Sequence, residues 1–104
     1  PLIRQPTATD LDRSFSSLSA SVVFYGHDHV PRDVQGNRRY VNPGSLGCSK
    51  DANARYCTME LSRQGFTVEH FVATYDRGSL LRAFEERNVP ERHFIQKIFF
   101  GINL

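Results

Sequence analysis

The sequence predicts a mixed α/β domain, and three patterns predict it. Val22-Val23-Phe24-Tyr25 is an apolar run of β-branched and aromatic residues, the composition of a strand. From Ala54 to Ser62 the side chains alternate. Arg55, Cys57, Met59 and Leu61 fall on one face, and Tyr56, Thr58, Glu60 and Ser62 on the other. Phe66, Val68, His70 and Val72 repeat the alternation after Gln64-Gly65, which marks a β-hairpin. Two segments after Asp76 then switch to the helical period.

Taken in order, Pro1 to Thr9 has no periodicity and reads as an irregular lead-in. Asp10 is the expected N-cap of a short helix in which Leu11, Phe15 and Leu18 share one face. Ser21 to Tyr25 shows no polar alternation, so burial on both faces is expected. Pro31 donates no hydrogen bond, so the chain after Val30 should not continue a central strand. Val34-Gln35-Gly36-Asn37 reads as a turn, and Arg38 to Asn42 as a second short strand closed by Pro43-Gly44. Asp76 should cap a helix carrying Leu80, Leu81 and Phe84 and ending near Asn88. Pro90 should open another, with Phe94, Ile95, Ile98 and Phe99 apolar and Gly101 at its end.

Composition bounds the function. One small domain accounts for all 104 residues, with no internal boundary, repeat or low-complexity tract. A hydrophobic share of 39% against 23% charged is not that of a disordered chain, though it is low enough for a half-domain whose partner strands lie elsewhere. The net charge of +2 and the lack of any basic run beyond Arg38-Arg39 give no indication of nucleic acid. No stretch is long and apolar enough for a membrane span, and no secretory signal opens the chain. Cys48 and Cys57 form no Cys-x-x-Cys and read as free thiols in a cytoplasmic protein, the alternative being a disulfide or redox pair.

The chemistry concentrates at Gly26-His27-Asp28-His29, just past the first strand. Two histidines at i and i+2 can project to one side of an extended backbone, and Gly26 allows a tight turn there. Neutral imidazole is the commonest metal-ligating side chain. Taken alone, His-x-His is a weak signal. Asp28 between them either orients a neighbouring ligand or is simply solvated. A dozen residues on, Asn42-Pro43-Gly44-Ser45 offers two readings: backbone N–H groups that receive an anion, or a tight turn braced by the Asn42 side chain. Lys50 and Arg55 are phosphate candidates by charge. Arg55 carries more weight, because it lies on the apolar face of its strand and a guanidinium there needs a partner. His70 reads as a bonded core histidine and His93 as a surface one. Cys48 and Cys57 together with the two histidines also permit a structural zinc, although Cys57 reads as a strand-core residue beside Met59.

Gly26-His27-Asp28-His29 followed by Asn42-Pro43-Gly44-Ser45-Leu46-Gly47 resembles the C-terminal half of the calcineurin-like metallophosphoesterases, especially their small bacterial and archaeal phosphodiesterases. The resemblance covers Ala20 to Tyr56 well and the rest loosely. It implies part of a four-layer α-β-β-α sandwich, here with a β-hairpin and two C-terminal helices. It also implies metal-dependent hydrolysis of a phosphomonoester or phosphodiester at two divalent ions (Mn, Fe, Zn or Ni). His27 would bind one ion and His29 the other, with Asp28, Asn42, Ser45 and Arg55 around them or on the phosphate. The family's upstream motifs, Asp-x-His, Gly-Asp-x-x-Asp and Gly-Asn-His, do not occur; Gly36-Asn37 is followed by Arg38. The chain is therefore expected to supply one wall of a site and to hydrolyse little by itself. Its expected partners are a phosphoester substrate and either a separate N-terminal half or further copies of itself. The alternative is a non-catalytic interaction scaffold on the same fold.

Overall fold

The computed structural model of the chain describes residues 5–102. In chain order it holds α1 (Ala8–Ser14), β1 (Val22–Phe24), β2 (Arg32–Gln35), β3 (Arg39–Asn42), β4 (Asn53–Ser62), β5 (Gly65–Thr74), α2 (Arg77–Glu86) and α3 (Arg92–Phe100). These form a three-stranded sheet of order β1-β3-β2, a two-stranded sheet β4-β5, and three helices. The mixed α/β class expected from the sequence is the one observed.

β3 is the spine of the first sheet. β1 runs parallel to it, with Val23 opposite Tyr40, and β2 runs antiparallel, with Val34 opposite Tyr40. Tyr40, Val41 and Asn42 are fully buried, as expected of a strand paired on both edges. The core gathers Leu11 of α1, Val23 and Tyr40, with Phe15, Tyr25 and Val34 packed against them. Asp12 fixes α1 over the sheet: its carboxylate accepts from the Tyr40 hydroxyl at 2.7 Å and from the Asn37 backbone at 2.9 Å.

Several boundaries differ from the expectations. The cap of α1 is Thr7, three residues before Asp10. Thr7 Oγ1 accepts from the Asp10 N–H at 3.2 Å while the Asp10 carboxylate accepts from the Thr7 N–H at 2.9 Å, a reciprocal capping box. The helix stops at Ser14, where the serine run begins, so Leu18 lies outside it and is exposed. β1 buries Val23 but leaves Phe24 43% exposed, because β1 is an edge strand and is not covered on both sides among the described residues. Val34 and Gln35 belong to β2 rather than to a turn; an edge strand tolerates Pro31 immediately before it. The lead-in expected over Pro1–Thr9 lies partly outside the described residues, and its last two positions are helical.

The hairpin follows the alternation. Arg55, Cys57, Met59 and Leu61 face Val72, His70, Val68 and Phe66 across the ladder, and Tyr56 stacks on Phe71 on the opposite face at 5.5 Å. The two-residue connection is Arg63-Gln64, one position earlier than expected. Two contacts join this arm to the first sheet. The His70 ring nitrogen Nε2 bonds the Asn42 carbonyl at 3.0 Å, and the Arg39 guanidinium, held by Asp33, lies over Phe66. α2 is capped by Asp76 as expected. α3 starts at Arg92, after a turn containing Pro90 in which Glu91 takes a left-handed conformation, and ends at Gly101. Phe84 and Phe100 join the two helices edge to face at 6.0 Å.

Candidate metal and phosphate site

β1 delivers the histidine loop to the end of the sheet. The Tyr25 N–H donates to the Val41 carbonyl at 3.0 Å, the last ladder bond, and the chain then leaves the strand. It turns at the histidines themselves and not at Gly26: His27 has φ 79° and His29 φ 60°. The extended-backbone reason for their convergence is therefore replaced by two left-handed residues, with Asp28 between. Left-handed conformations in non-glycine residues cost of order 1–3 kcal/mol each and persist where surrounding structure over-determines them. The two imidazoles stand exposed, ring centres 6.4 Å apart and 53° between planes.

His27, Asp28 and His29 line one side of a groove of about 470 Å³; Cys48 and Lys50 line another, and Ile98 and Phe99 of α3 a third. Asp28 is half-buried and accepts from the Gln5 N–H at 3.1 Å, which ties the histidine loop to the segment before α1. Asn42, Ser45 and Arg55 do not line the groove; they brace the loop behind it. Asn42 Oδ1 accepts from the Gly44 N–H at 2.9 Å, and Ser45 Oγ accepts from the Cys48 N–H at 2.8 Å. The Gly44 N–H is thus satisfied within the turn by the Asn42 side chain, the brace that one of the two readings of this loop expects. At Gly44, φ is +90° and an added Cβ would lie 2.9 Å from Arg55 Cβ and 3.0 Å from Pro31 Cγ, so the turn is closed to other residues.

Arg55 has its partner in Asp51. Its two guanidinium nitrogens meet the two carboxylate oxygens at 3.0 and 2.6 Å, and one also reaches Ser49 Oγ at 3.2 Å. Hydrogen bonds from Arg55 first, then Ser49, hold the Asp51 carboxyl far below its ordinary range, and the same contact raises Arg55. The charge of Arg55 is therefore neutralised locally, whereas Lys50 has no carboxylate partner among the described residues and lines the groove. Cys57 faces His70 in the hairpin, away from the groove, and burial raises its thiol pKa. His93 sits on the surface against Glu85.

Two exposed imidazoles on one groove are a donor set that suits a borderline-soft divalent ion. No cluster of three or more His, Cys, Asp or Glu side chains able to hold a metal forms among the described residues. Two features escape sequence reading. Arg77 reaches both the Lys50 and the Phe100 carbonyls, and α3 forms a wall of the groove. Nothing in the local sequence around Arg77 signals a contact to residues so far away along the chain.

Comparison with known proteins gives a family and a fold likeness. The model of the calcineurin-like phosphoesterase superfamily domain matches residues 4–64, which include the histidine loop, the braced turn and β4. A hypothetical protein, PH1004, from Pyrococcus horikoshii OT3 has a similar solved structure, with a TM-score of 0.72 over 99% of this chain at 13% identity. At that identity the likeness is one of fold, and the chain spans 41% of the length of that protein. No curated protein matches the chain.

Proposed function

The chain belongs to the calcineurin-like phosphoesterase superfamily, and we propose that it forms one wall of a metal-dependent phosphoesterase centre within the family's four-layer sandwich. His27 and His29 each supply a neutral imidazole to one of two divalent ions. The observation that carries the proposal is the pair of left-handed histidines: two strained, exposed residues flanking Asp28 line one groove. Borderline-soft ions such as Mn²⁺, Fe²⁺, Zn²⁺ or Ni²⁺ suit imidazole better than Mg²⁺ or Ca²⁺. When bound, such ions polarise phosphoryl oxygens and make water a nucleophile at neutral pH. The chain's own residues do the positioning. Asp28 anchors the histidine loop to Gln5, and the Asn42 and Ser45 turn supports the groove from behind. Arg55, neutralised by Asp51, fixes that turn to β4 through Ser49 and through its own N–H to the Ser45 carbonyl at 2.9 Å. Hydrolysis of a phosphoester joins water oxygen to phosphorus and releases the organic group as an alcohol that takes the water's proton.

Electron paramagnetic resonance of Mn²⁺ titrated into the chain tests this. Weak Mn²⁺ binding is expected, reduced in both His27→Ala and His29→Ala and abolished in the double variant. A double variant that binds like wild type removes the histidines from the site. A wild-type chain that binds no Mn²⁺ at millimolar concentration favours an interaction scaffold on the same fold.

A further inference from the structure

We propose that this groove selects phosphoesters bearing an apolar, aryl-sized group, with Ile98 and Phe99 determining that specificity and Lys50 supplying the charge opposite the phosphate. The proposal rests on the phosphoesterase reading of the same site and names its substrate class.

The two histidines occupy one side of the groove, where a phosphoryl group would react. The adjoining wall is neither charged nor hydrogen-bonding: Ile98 and Phe99, 57% and 42% exposed overall, line it. Large apolar residues left open beside a polar centre are the common arrangement of a small-molecule site, in which a few polar groups orient and an apolar surface discriminates. Lys50 stands on the same groove with no carboxylate to neutralise it among the described residues, so its ammonium group complements a phosphate.

The arrangement is built and not incidental. Arg77 donates one guanidinium nitrogen to the Lys50 carbonyl and the other to the Phe100 carbonyl, and its guanidinium lies 5.9 Å from the Phe100 ring centre. One side chain thus fixes the lysine wall to the aromatic wall. The stem of Lys50 also lies on Gly101, where an added Cβ would come within 2.6 Å of Lys50 Cγ. The end of α3 and residue 50 are packed in contact, which holds charge and apolar surface in one register. A substrate with phosphate between the histidines and Lys50 would lay its organic group on Ile98 and Phe99. A small polar alcohol would leave that surface wet.

The test is a metal-free NMR titration of the 104-residue chain with phenyl phosphate and, separately, inorganic phosphate. Phenyl phosphate is expected to bind about tenfold tighter, the effect of partly burying one aromatic ring, and to shift the Ile98 methyl and Phe99 ring signals. Phe99→Ala should reduce the preference towards unity without changing inorganic phosphate binding. Ile98→Ser, on the more exposed neighbour, gives an independent check should Phe99→Ala disturb the helix. Lys50→Met, which keeps the stem against Gly101, should weaken both ligands by a similar factor. Equal affinities in wild type, a preference that survives both apolar variants, or no binding of either ligand would overturn the proposal. His27→Ala and His29→Ala should leave the aryl preference in place, so failure of the metal reading and failure of the substrate reading are separate outcomes.

Discussion

At the scale of single residues, His27 and His29 have a backbone that glycine would adopt more readily than histidine. Their φ values of 79° and 60° lie in the region that L side chains occupy at a cost, and neither ring has a packing role that would repay it. Strain of this kind collects where function needs it. His27→Gly and His29→Gly are therefore expected to leave the fold as stable as wild type or to stabilise it by about 0.5–1 kcal/mol each, while each weakens metal binding. Urea unfolding checks this, and clear destabilisation by either glycine would show that the ring is a structural support. The identity of these histidines was legible in the sequence because Gly-His-x-His after a strand is a recognisable string. Their conformation was not, since i, i+2 spacing says nothing of the sign of φ. Lys50 and Arg55 show the same limit. Both looked like phosphate ligands by charge, and only the fold shows that Asp51 takes Arg55 and leaves Lys50 in the groove.

At the scale of elements, the short helices depend on their first turns. Asp10 is held below the ordinary value of 3.8 chiefly by the Thr7 backbone N–H, and Asp76 chiefly by the Ser79 hydroxyl. A carboxyl whose folded pKa is depressed stabilises the fold fully above its unfolded pKa and loses that contribution as pH falls through the folded one. Asp33 beside Arg39 and Glu85 beside Arg92 follow the same sign. Helical circular dichroism should thus be steady from pH 7 to about pH 4 and decline below it. Loss of helix beginning near neutrality would contradict the capping account. The strands of the hairpin were readable because a period of two over ten-residue strands leaves one register that matches face to face, while the turn lies one position before the expected Gln64-Gly65. The start of α1 was misplaced: Asp10, beside the apolar face, reads as the N-cap, whereas it is the far end of a capping box that begins at Thr7. β2 was hidden for a different reason. Arg32-Asp33-Val34-Gln35 has little strand propensity, and its pairing with β3 is a tertiary fact.

At the scale of the whole molecule, the chain is extended. Its radius of gyration is 16.8 Å, against about 13 Å for a compact domain of this length. Outside the groove, Leu46, Leu61, Val72 and Phe94 are more than half exposed, and one edge of β1 carries no partner strand among the described residues. Unpaired edges with apolar side chains recruit other strands. We therefore expect the chain to self-associate or to accept a complementary segment. Light scattering after size exclusion should give a mass that rises with concentration in the micromolar range. A dispersed monomer with one cooperative melting transition would show that the exposed surface is tolerated as it stands.

We propose that His27 and His29, and no other histidines of the chain, are metal donors. Imidazole nitrogen NMR on the ¹⁵N-labelled chain during Zn²⁺ addition measures it directly. The ring nitrogens of His27 and His29 should shift together, while those of His70, bonded to the Asn42 carbonyl, and of His93, beside Glu85, stay in place. Shifts confined to His70 or His93, or no shift at His27 and His29 at saturating Zn²⁺, would contradict the account.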